Sequence, residues 1–170
     1  MFKKLLLTAI IVSFSIALFA QQEPEKKPAP PVKHEYVGAK MCNMCHKKGG
    51  IEDSWKAGPH AAAFEVLNRA QRKDENCLKC HTTGKTSTGH LLRGVQCEAC
   101  HGPGSDYKNL KIMKNRDLAI ANGLNPVNEM TCRKCHLDVL PEACKLTEKF
   151  DYKKMLAKGI HRMPSQNRPK

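Results

Sequence analysis

One five-residue pattern occurs four times in this chain and constrains everything else the chain can fold into. Its copies are Cys42-Asn-Met-Cys45-His46, Cys77-Leu-Lys-Cys80-His81, Cys97-Glu-Ala-Cys100-His101 and Cys132-Arg-Lys-Cys135-His136. Together they take eight of the nine cysteines and four of the eight histidines. Zinc knuckles use paired cysteines at this spacing but need no histidine after every pair. Disulfides in an exported chain need neither the spacing nor the histidine. A dithiol redox pair needs a βαβ pattern nearby, and none is visible. Histidine fills 8 of 170 positions, so four histidines in four places by chance is on the order of a few in a million, which leaves attachment of c-type haem as the reading. Cysteines three apart lie on one face of a helical turn and reach two neighbouring vinyl groups on one porphyrin edge. The imidazole that follows becomes the proximal iron ligand.

The amino terminus sets the compartment. Met-Phe-Lys-Lys is a short basic start, Leu5 to Phe19 is an apolar run, and Ala20 is a small residue suited to cleavage. The run is shorter than the roughly 20 residues that span a bilayer. Residues 1–20 therefore read as a cleaved signal peptide and the protein as periplasmic, with membrane association only through partners or an uncleaved terminus. Residues 21–33 form a Pro/Lys-rich extended leader. The tetrahaem cytochrome domain is expected over 34–163, followed by a basic tail at 164–170.

Cleavage removes Lys3 and Lys4, so 27 basic residues face 16 acidic ones and the mature charge is 27 − 16 = +11. So basic a balance raises the question of nucleic acid, which export argues against. Each ferric haem brings about −1 once its propionates are counted, which lowers the total to about +7. Part of the Lys/Arg excess therefore answers propionates, and the rest suits redox partner proteins with acidic docking surfaces.

Aromatics are only 5% of the chain. No alternating pattern marks strands, and 82–89 and 102–106 are turn-rich and read as loop. The fold class is mainly α with extensive loops: a single multihaem cytochrome domain whose core is four covalently bound, closely packed haems. A helix is expected from Pro59, with His60, Phe64 and Leu67 on one face. Others are expected over 110–121 and 151–158, ending at Gly123 and Gly159. The motifs start 35, 20 and 35 residues apart, and the short middle spacing places haems 2 and 3 in near contact.

Four histidines remain outside the motifs: His34, His60, His90 and His161. Each is a candidate for the second axial position of an iron. His60 heads the set because it shares a face with Phe64 and Leu67; His161 follows a helix end near Met163. His90 lies in a polar loop, and His34 adjoins the leader. Met113 is a rival thioether ligand that would raise its haem's potential. Cys144 is left over from the motifs.

The order of these pieces resembles one family. Tyr36-Val37-Gly38, Trp55, His60-Ala61, His81-Thr82-Thr83-Gly84, Gly94 to Gly104, Phe150-Asp151-Tyr152 and Ile160-His161 are similar to the tetrahaem cytochrome c-554 (cytochrome c-552/4) family across about residues 36–161. The resemblance implies a mostly helical periplasmic electron carrier with closely stacked haems, three bis-His and one five-coordinate in the type member. It also supports His60 and His161 as distal ligands. The chain departs from the family after His101-Gly-Pro-Gly, where Ser105 to Met113 lacks the ligating histidine of the type member. Met113, His34 or His90 would substitute, or a second haem stays open. Electron transfer, with no enzymatic activity, is the expected function. Chemistry on a small nitrogen species at an open haem, and a haem-stacking filament formed by self-association, are the alternatives.

Overall fold

The computed structural model describes residues 33–140 and 149–161. The expected signal peptide, nearly all of the expected leader, Cys144, Met163 and residues 164–170 lie outside the described residues. Eight short helices carry the described chain: α1 (Ala39–His46), α2 (Ile51–Lys56), α3 (Glu75–His81), α4 (Cys97–His101), α5 (Leu110–Met113), α6 (Arg116–Ala121), α7 (Glu129–Arg133) and α8 (Tyr152–Lys158). A 3-10 turn at Gln71–Lys73 precedes α3, and strands β1 (Thr82–Lys85) and β2 (Leu91–Arg93) form one antiparallel hairpin. The fold is thus mainly α with long loops, as composition indicates.

Helix starts follow local chemistry. The Asp74 carboxylate accepts the Asn76 amide to open α3, and Asn109, Asn115 and Asp151 cap α5, α6 and α8 in the same way. Asn128 and Thr131 form a reciprocal capping box at α7. Such caps satisfy the orphan amides of a first turn and contribute about 1 kcal/mol each.

Three expectations need correction. Residues 59–67 do not form a helix. They run as successive turns closed by Ala63 N–H to His60 O, Glu65 N–H to Ala62 O and Leu67 N–H to Phe64 O. The carbonyls a helix would use are spent elsewhere: His60 O also accepts the Val95 amide, and Ala63 O accepts His81 Nδ1. Phe64 and Leu67 are buried all the same. The helix expected over 110–121 is two, because Asn115 adopts an extended backbone and caps the second. Residues 82–85 are a strand rather than loop, paired to 91–93, and only 86–89 make the turn. The helix near 151–158 and its stop at Gly159 stand as expected.

The hydrophobic core is small. Phe64, Leu67, Cys77 and Leu78 form its main cluster, with Leu91 against it. Arg72 and Arg93 guanidinium carbons each lie 5.0 Å from the Phe64 ring centre. Gly94 marks a close approach of two segments: with φ +76, a Cβ there would meet the Ala61 carbonyl oxygen at 2.5 Å. That contact holds the entry to the third motif against the turns that carry His60.

Candidate functional site

Each motif closes a helical segment. α1, α3 and α4 end at His46, His81 and His101. In the fourth copy the segment extends past α7 through Cys135 N–H and His136 N–H, both donating to Cys132 O. This puts the two cysteines of each motif on one turn and its histidine at the exit. Among the described residues the eight motif cysteines form no disulfide. Nor is there a group of three or more His, Cys, Asp or Glu side chains set to hold a metal directly.

Two of the four spare histidines stand opposite motif histidines. The rings of His60 and His136 have centroids 5.9 Å apart at an interplanar angle of 70°. Those of His101 and His161 are 6.3 Å apart at 40°. Two imidazole nitrogens bound to one metal at about 2 Å each, with about 1 Å from nitrogen to ring centre on either side, put the centroids about 6 Å apart. Both pairs therefore have the separation that one iron between them requires. Burial, with His136 next, lowers the pKa of His60; burial, then His161 and His46, lowers that of His101; burial lowers that of His136. Each effect favours the neutral imidazole, the form that ligates.

Groups around the motif histidines orient them in the same sense. His81 Nδ1 donates to the Ala63 carbonyl at 2.5 Å, which leaves Nε2 as the nitrogen available to a metal. Phe150 stacks on His136 with centroids 4.5 Å apart, and Arg133 lies over the other ring's face region, 5.6 Å from the Phe150 centre. Arg133, Lys149, Lys153 and Lys154 line an open groove of about 700 Å³ beside Phe150 together with Glu129 and Asp151, and Arg133 is paired with Glu129 at 2.8 Å. The three lysines are the groups there suited to propionate oxygens.

The remaining candidates sit differently. His34 Nδ1 lies 2.6 Å from Asp106 Oδ2, and its ring packs on Gly123. His90 is exposed at the end of the hairpin turn. Among the described residues neither ring pairs with His46 or His81. Met113 is half-buried at the end of α5. Tyr107, in the run that lacks the family's histidine, is buried, and its hydroxyl donates to the Gly102 carbonyl at 2.6 Å.

The motifs also touch one another. The Cys42 thiol holds the neighbouring Cys97 thiol below its ordinary range. Burial first, and the Cys80 thiol next, push Cys135 up to about 12. Burial dominates the upward shift of Cys100. The segments at motifs 2 and 3 are joined as well: the Gly94 amide donates to the His81 carbonyl at 3.2 Å, and the Gln96 amide to Thr83 Oγ1 at 2.8 Å.

Sequence reasoning missed Glu98. It occupies a variable position inside the third motif, yet it is 1% exposed. It also missed the Ala63 carbonyl, which no side-chain pattern could disclose.

Helices that each end in an attachment motif, with histidine rings gathered at iron-bridging distance, define a multihaem c-type cytochrome. A family model described as cytochrome c554 and c-prime matches residues 41–102. Cytochrome c-554 of Nitrosomonas europaea is 30% identical, in an alignment covering 61% of this chain and 58% of that one. The chain thus spans somewhat over half the length of that curated relative. The solved reduced state of cytochrome c554 from Nitrosomonas europaea shares the fold, with a TM-score of 0.51, 23% identity and coverage of 75% of this chain and 79% of that one. The chain is thus similar to cytochrome c-554 in part of its sequence and in its fold.

Proposed function

We propose that this protein is an exported, periplasmic electron carrier whose four haems pass electrons between redox partner proteins. The observation that carries this reading is the pairing of His60 with His136 and of His101 with His161 at 5.9 and 6.3 Å. Iron held between two imidazoles offers no site for substrate and shuttles electrons.

In this reading Cys42 and Cys45, Cys77 and Cys80, Cys97 and Cys100, and Cys132 and Cys135 bind haems 1 to 4. His46, His81, His101 and His136 are their proximal ligands. His60 closes haem 4 and His161 closes haem 3. Haem supplies a reversible one-electron iron couple, and the chain supplies its spacing, orientation and surroundings. Motifs 1 and 3, whose helices Glu98 and Gln96 join, hold neighbouring haems in this reading. Ala63 orients His81 through its carbonyl, and Phe150 fixes the plane of His136. His34, His90 and Met113 are the remaining candidates for the distal sides of haems 1 and 2. Of these, His34 is the one whose ring a carboxylate already orients, as in ligating histidines. The lysine-rich exterior suits acidic partners, which basic surfaces steer at rates that fall with salt. No helix among the described residues is long and apolar enough to cross a membrane.

Protein-film voltammetry separates this from chemistry at an open haem. The carrier reading expects four reversible one-electron waves that hydroxylamine and nitric oxide leave without catalytic current. A catalytic wave with either compound would make the protein an enzyme instead.

A further inference from the structure

Glu98 stands between the two cysteines of the third motif, a place where side chains need only point to water. It is instead the largest fully buried side chain among the described residues. Its Oε1 accepts the Val37 amide at 2.9 Å and the Gly104 amide at 2.7 Å. Its Oε2 accepts Val37 at 3.1 Å and Gly38 at 2.7 Å. Every one of these partners is a donor, so the site suits a carboxylate and offers no acceptor to a carboxyl proton.

The donors belong to two other segments. Gly38 is the N-cap of α1, the helix that carries the first motif. Gly104 follows the third motif, and a Cβ there would meet Glu98 Oε1 at 3.1 Å. A second strut runs alongside, where the Ala39 amide donates to Gln96 Oε1 at 2.8 Å. Glu98 adjoins Cys97, and the Cys42 thiol donates to the Gly38 carbonyl at 4.0 Å. The carboxylate therefore ties the helix of motif 1 to the helix of motif 3 beside their attachment cysteines.

Charge adds a second effect. A buried anion beside two bound haems would stabilise the ferric form of each, because the ferric centre is the more positive and the dielectric there is low. Salt screens a buried charge far less than a surface one.

We propose that Glu98 is a positioning residue that sets haem 1 against haem 3, and that its buried charge lowers the potentials of those two haems. The proposal rests on the haem assignment above.

The test is a redox titration of the purified tetrahaem protein and of E98Q and E98D, with haem content measured on each. In E98Q two of the four potentials should rise by at least a tenfold change in reduction equilibrium, about 59 mV for one electron, while the other two stay in place. E98D keeps the charge and should restore those potentials while losing thermal stability, since its shorter arm reaches fewer of the amides. Four unchanged potentials in a tetrahaem E98Q would overturn the proposal. So would a rise shared by all four haems, or an E98D that shifts as E98Q does. If E98Q yields no holoprotein, E98D decides: wild-type potentials with a lowered melting temperature support the proposal, and raised potentials at two haems overturn it. Fewer than four haems in the wild type would instead sink the haem assignment.

Discussion

Made in cells that cannot attach c-type haem, this chain is expected to be unfolded. Its longest described helix is α1, at eight residues. Isolated helices below about 12 residues are marginal in water, and so is a lone two-stranded hairpin. Little side-chain burial compensates: only eight hydrophobic residues among those described are buried, two of them alanines. Large apolar side chains such as Met44 and Met130 stand outside, 75% and 70% exposed. Four porphyrins would bring apolar faces for the helices to drape over, and the thioethers would anchor each face to its own turn. Far-ultraviolet circular dichroism and thermal melting of the haem-free chain check this. A coil-like spectrum with no cooperative transition is expected, and a cooperative melt would show that side chains alone suffice.

Replacing His60 with leucine is expected to leave four haems attached and convert one of them, haem 4, from low-spin to high-spin ferric iron. The attachment thiols of that haem, Cys132 and Cys135, are untouched, and His136 keeps its stacking on Phe150. Only the ring 5.9 Å away is lost. Leucine cannot ligate iron, so the iron keeps one axial imidazole and gains an open face. His161→Leu should do the same to haem 3. Ferric electron paramagnetic resonance reads both changes. If His60→Leu left the spectrum unchanged, His60 would not be a ligand, whatever its distance from His136.

The haem sites were legible in the sequence because their chemistry is local. Two cysteines and a histidine within five residues define an attachment site with no reference to the rest of the chain. His60 and His161 were expected as distal ligands on a weaker signal, as spare histidines beside apolar or helix-end residues, and the structure sets their rings 5.9 and 6.3 Å from those of His136 and His101. The helix around His60 was not there to be found. The carbonyls of His60 and Ala63 bond to Val95 and His81, partners 35 and 18 residues away, and periodicity carries no information about such distant bonds. The tie between motifs 1 and 3 was hidden for the same reason: the Gly38 and Ala39 amides reach Glu98 and Gln96 from 60 and 57 positions away. Glu98 carried no signal in the sequence, because the amides that bury it come from residues 37, 38 and 104.

The central claim is that four haems are bound covalently through the eight motif cysteines. Intact-mass spectrometry of the purified protein, with haem counted by the pyridine haemochrome, tests it most directly. The mass should exceed that of the polypeptide by four haems, with none of the eight motif cysteines open to alkylation. A mass carrying fewer haems, or zinc or disulfides in their place, would contradict it.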